Sequence, residues 1–169
     1  ATLTANWKLE NYRINYELNG GKATNYKEYT VNTKTFMLNN PSREHYDFIG
    51  WTGTDLNKTT LKVEIKQGSN GDKTFVANWT PIKYKIEYVL NGGKNKVSSP
   101  TTYTYDSEIV LNKPIKNGYE FEGWYDNPDF EGTKISKISK NSFGNKKIYA
   151  KKKNYCLLRC KRRKNHKRY

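Results

Sequence analysis

The chain has 169 residues, 14% of them aromatic, and a formal net charge of +15. Fourteen Tyr, six Phe and four Trp supply large apolar surfaces that a disordered chain lacks. No apolar run reaches the roughly 18 residues of a membrane span, and no basic-then-apolar leader opens this stretch. The charge is unevenly placed. Residues 151–169 hold ten Lys or Arg and no acid, which leaves 21 basic and 16 acidic residues in positions 1–150. A basic tail attracts polyanions in general without specifying one.

In chain order, the first block is ATLTANW, ending at Trp7. Tyr12, Ile14, Tyr16 and Leu18 then alternate with Arg13, Asn15 and Glu17, the period-2 pattern of a half-buried strand. Asn19, Gly20 and Gly21 follow, residues that tolerate positive φ and predict a tight hairpin turn. A second polar-aromatic stretch carries Tyr29 and Val31, and a short apolar run precedes Pro41. In YDFIGW, Tyr46 and Phe48 share a face but Trp51 is out of phase, so a bulge near Gly50 is expected. Leu61, Val63 and Ile65 alternate next, and GSNGD at Gly68–Asp72 is a turn signal. Phe75, Ala77 and Trp79 predict a closing strand.

The series then repeats. Tyr84–Lys94 (YKIEYVLNGGK) restates Tyr12–Lys22, with Gly92 and Gly93 in the turn, 72 positions on. Tyr103 and Tyr105 mark the second stretch, Pro114 matches Pro41, and Tyr119–Trp124 (YEFEGW) returns at an offset of 73. Asn141 replaces Gly68, and the block ending at Trp79 recurs ending at Lys152. Trp7 ends a third copy of that closing block. Residues 1–11 are therefore expected to be the last strand of a preceding repeat, and the chain a piece of a longer array. Residues 12–83 and 84–155 are the two modules, and 156–169 a basic tail, either a genuine terminus or an out-of-frame product.

The blocks Y-x-I-x-Y-x-L-N-G-G, P-x-x-x-x-Y-x-F-x-G-W and G-D-K-T-F-x-A-N-W together resemble the Listeria–Bacteroides repeat, or internalin B-repeat type. The resemblance covers residues 1–155. It implies a mostly β chain (α+β at most) of two tandem small β-grasp-like modules with little or no helix. It also implies a secreted or wall-attached bacterial protein in which such repeats serve as stalks or adhesion-associated spacers. Two departures stand out: His45 lies where the second copy has Gly118, and Lys152 where Trp79 should recur.

No catalytic constellation is expected. The histidines are His45 and His166, and neither has a nucleophile or carboxylate at a recognisable spacing. Asp126 and Asp129 flank Pro128 and read as a turn. Cys156, Cys160 and His166 are too few for a zinc site. The NGGK turns lack the helix a phosphate loop requires. No cofactor, metal or small-molecule substrate is expected. Trp51, Trp79 and Trp124, with Gly20, Gly21, Gly92 and Gly93, are expected to be structural rather than a sugar-stacking platform, because a small module needs its aromatics for its core. Host-surface or cell-wall polyanions or proteins are the expected partners. Arg159, Lys161, Arg162, Arg163, Lys164, Lys167 and Arg168 are the candidate polyanion contacts. A nucleic-acid binder is a further alternative that rests on charge alone.

Overall fold

The computed structural model describes residues 1–154. The chain is mostly β, with no helix among these residues, and divides into two compact units at Pro81/Ile82. Residues 1–11, read above as a closing strand, lie outside every sheet, and Leu3 and Trp7 are exposed.

In the first unit β1 (Tyr12–Glu17) is the second strand of a five-stranded sheet. On one side lies the two-residue β2 (Glu28–Tyr29), antiparallel, with Tyr12 opposite Tyr29. On the other lies β7 (Lys73–Pro81), parallel, with Tyr16 opposite Phe75. β4 (Tyr46–Gly53) and β5 (Leu56–Thr60) complete the order β2-β1-β7-β4-β5. A parallel first and last strand, flanked by antiparallel ones, is the β-grasp arrangement. The helix that usually covers such a sheet is replaced by a ribbon of β3 (Phe36–Met37) and β6 (Glu64–Ile65), with Phe36 opposite Ile65. Leu38, Val63 and Ile65 from the ribbon region share one buried cluster with Ile14, Tyr29, Trp51, Phe75 and Ala77 from the sheet. The module is thus two layers closed on an aromatic core.

The second unit repeats this plan. β8 (Tyr84–Val89) lies between β9 (Thr102–Tyr103) and the parallel β13 (Lys146–Asn154), and β11 (Tyr119–Tyr125) pairs with β13, giving the order β11-β13-β8-β9. β10 (Ile109–Val110) and β12 (Lys137–Ile138) form the covering ribbon. Ile86, Tyr103, Leu111, Trp124, Ile138, Ile148 and Ala150 make a second buried cluster with residues of this unit only.

The bulge expected near Gly50 is present. Phe48 faces Trp79 and Gly50 faces Asn78, so Ile49 is the extra residue, and Gly50 takes φ +129. The insertion returns Trp51 to the core face, where it is fully buried. Glu122 does the same between Phe121 and Gly123, and Trp124 is 2% exposed.

Several expectations change. The Asn-Gly-Gly turns are real, with Asn19 at φ 48 and Gly20 at φ 85, and Gly21 N–H bonds Leu18 C=O at 2.9 Å. They do not close hairpins, however: the antiparallel neighbour of β1 arrives only at Glu28. Of the alternating Leu61, Val63 and Ile65, only Ile65 lies in a strand, β6, while Val63 just before it is buried. Leu61 follows β5 and is half-exposed, because the chain bends before β6. His45 does not alter its turn. It takes φ 66 where Gly118 takes φ 78, so a side chain is held in the left-handed region. Asn141 likewise takes φ 65 where Gly68 takes φ 88.

The two modules differ after the bulge. Gly53 pairs with both Leu56 and Phe75, which lets β5 form. Its counterpart, Asp126, lies beyond the end of β11. There Asn127 bonds the Glu131 backbone N–H and C=O around the turn containing Pro128, and only Ile135 bridges back to Trp124.

Candidate functional site

Each buried Trp is held as a core residue. Trp51 has Phe48 at 5.4 Å and Tyr16 at 5.9 Å between ring centroids, both tilted or edge-on, the geometry aromatic quadrupoles favour. Its indole N–H donates to Asn40 Oδ1 at 3.3 Å. Trp124 has Phe121 and Tyr88 each at 5.3 Å and donates to the Asn112 C=O at 3.2 Å. Burial pushes the Tyr16 phenol up to about 12, and its hydroxyl donates to the Tyr26 C=O.

The turns that follow β1 and β8 are where the modules diverge chemically. In the first module, Asn19 Nδ2 donates to the Ala77 C=O, and Trp79 Nε1 donates to the Leu18 C=O at 3.0 Å. The Trp79 ring lies so close to Gly21 that a Cβ there would overlap it. Arg43 crosses Gly20 and stacks on Tyr46, 3.6 Å from the ring centroid. In the second module, Asn91 Nδ2 repeats the first of these bonds, to the Ala150 C=O. Lys152, opposite Phe121 as Trp79 is opposite Phe48, instead sends its ammonium to the Asn91 C=O at 2.9 Å. Lys116, at the position of Arg43, donates to the same oxygen at 2.6 Å. The Lys152 side chain beside it, together with some desolvation, holds Lys116 below the usual lysine range.

The structure therefore brings Gly92 and Gly93 together with Lys152 and with Lys116. The sequence reading singled out the glycines and noted Lys152 as a departure, but missed Lys116. A repeat alignment that placed Lys116 on Arg43 would have found it. Arg159, Lys161, Arg162, Arg163, Lys164, Lys167 and Arg168 lie outside the described residues, as do Cys156, Cys160 and His166. Among the described residues no three His, Cys, Asp or Glu side chains group as metal donors. The groove beside β1, between Arg13–Leu18 and Ala23–Glu28, holds one carboxylate, Glu28, which accepts a hydrogen bond from Asn11.

A family profile described as the Listeria-Bacteroides repeat domain matches the chain twice, over residues 12–78 and 84–151. No curated protein and no solved structure matches it. Repeats of this family are associated with bacterial surface proteins and are typically non-catalytic. Both matches span a sheet from its first strand into its last, and the chain belongs to the Listeria–Bacteroides repeat family, carrying two of its repeats in tandem.

Proposed function

We propose that the chain is a non-catalytic stalk or spacer segment of a bacterial cell-surface or secreted protein, setting an adhesive region away from the surface. The observation that carries this reading is that each module buries a Trp and a Tyr in a separate core, the two cores built to one plan. A repeated element with no converging catalytic groups gains from repetition chiefly reach and spacing. An epitope tag at the N-terminus of chains with one, two or three modules, anchored to beads, tests this. Capture by a bulky antibody should rise with module number and be indifferent to surface changes such as Tyr26→Ser. Capture independent of module number would overturn it.

A second reading, binding of anionic polysaccharide or wall polymer, is favoured by the ten Lys or Arg in residues 151–169. The same charge would draw nucleic acid, with no base-reading motif to give specificity. A truncation that tests the tail cannot be made after Tyr149. β13 continues to Asn154, and Ala150 is buried in the second core. Ending the chain after Asn154 should remove most retention on a polyanionic column, with the remainder falling steeply in salt. Unchanged retention would move the binding surface into the modules.

A further inference from the structure

We propose that the second module, and not the first, carries an oxyanion subsite formed by the Lys116 and Lys152 ammonium groups over the Asn91–Gly93 turn, suited to a phosphate or sulfate group. The proposal adds a ligand site to the scaffold reading and is separate from the charge of residues 156–169.

The site rests on a replacement at one position. In the first module the Trp79 indole covers the turn and satisfies Leu18 C=O with a neutral donor. In the second, Lys152 takes that place, and the hollow beside Leu90, Gly93, Pro114 and Phe121 is rimmed by charge instead of filled by a ring. Both ammonium nitrogens reach one carbonyl oxygen, at 2.6 and 2.9 Å, so they are no further apart than those two distances together. Both also lie over the Tyr119 ring, at 4.5 and 5.0 Å from its centroid.

Two like charges this close repel, and the partners they have are a carbonyl dipole and a ring face. Among the described residues no carboxylate lies within ion-pairing distance of either. Glu120 lines the same hollow, and the neighbouring Lys151 is the one that approaches an acid, Glu122, at 3.9 Å. Each ammonium has three donors and spends one on Asn91, so two remain on each to hold an anion. A tetrahedral oxyanion offers an oxygen to each ammonium, and charge-assisted bonds of this type are the stronger ones. The glycine is part of the construction. Gly92 takes φ +80, and a Cβ there would come within 2.9 Å of Lys116 Nζ, so glycine leaves room for the lysine to cross the turn. The first module has no equivalent pair, because Arg43 over Tyr46 has beside it, at the position of Lys152, the uncharged Trp79.

The test uses backbone amide NMR of the full chain, titrated separately with inorganic phosphate and inorganic sulfate, and with chloride at matched ionic strength. Saturable shifts are expected at Asn91–Gly93 and Tyr119 with one or both oxyanions, beyond those in chloride, and not at Asn19–Gly21. Whichever oxyanion saturates at the lower concentration identifies the preferred group. Lys116→Gln and Lys152→Gln should each weaken binding about tenfold, and Lys152→Trp, which restores the residue of the first module, should abolish it. Because the shifts are read within the module, binding at the tail does not mimic them. Shifts no larger than in chloride, equal shifts at Asn19–Gly21, or unchanged affinity in the folded Gln variants would overturn the proposal.

Discussion

Trp51→Ala is expected to unfold the first module rather than loosen it. The indole is fully buried and is packed by Phe48, Tyr16 and Phe75. Truncating a buried Trp costs about 3–5 kcal/mol, close to the whole stability of a domain this small. The close-packed neighbours Ile14, Tyr29, Leu38 and Phe75 belong to the same buried cluster, so removing the indole leaves a cavity among them. Trp124→Ala should do the same to the second module. Trp7→Ala, at 89% exposure, should change stability by less than about 0.5 kcal/mol. Urea unfolding of the three variants, followed by circular dichroism, checks the ranking. A Trp51→Ala chain that melted like its parent would place the ring outside the stabilising core.

Gly53→Ala is expected to be nearly as damaging, for a backbone reason. Gly53 takes φ +142 within β4, a conformation open in practice to glycine alone. A Cβ there would collide with the Thr74 carbonyl oxygen on β7, and backbone cannot swing away as a flexible side chain can. Strain and overpacking together give about 3–5 kcal/mol. The change should also detach β5, whose register on β4 runs through the Gly53–Leu56 pair. The second module supplies the control. Asp126 occupies the matching position beyond β11, so Asp126→Ala should cost less than about 0.5 kcal/mol. Equal losses from the two substitutions would mean that the glycine's backbone conformation is not what matters.

Much of this architecture was legible in the residues because a period of 2 is a strong local signal. Ile14 and Ile86 alternate with polar neighbours and are buried as that pattern requires. The bulge was legible too, since Trp51 could join the face of Phe48 only by inserting one residue. Pairing was less visible. Asn19–Gly21 looked like a hairpin because its turn chemistry is right, but a turn does not specify which strand follows it. β5 was missed because Leu56–Thr60 lacks alternating apolar residues, and its place depends on the conformation of Gly53. The covering ribbon was not foreseen: Phe36–Met37 reads only as part of a short apolar run before Pro41, and two-residue strands carry no periodicity. At the candidate site the sequence exposed Lys152 but not its partner. Lys116 is 36 positions away, and they meet on a backbone oxygen that has no residue signature.

The central claim, that each module is a self-contained fold around its own buried Trp, is tested most directly by amide hydrogen exchange on the intact chain. In Trp51→Ala, protection in residues 12–81 should collapse while the strands of residues 84–154 keep their parental rates. Trp124→Ala should give the converse. Loss of protection across both modules from either single substitution, or retention throughout, would contradict the account.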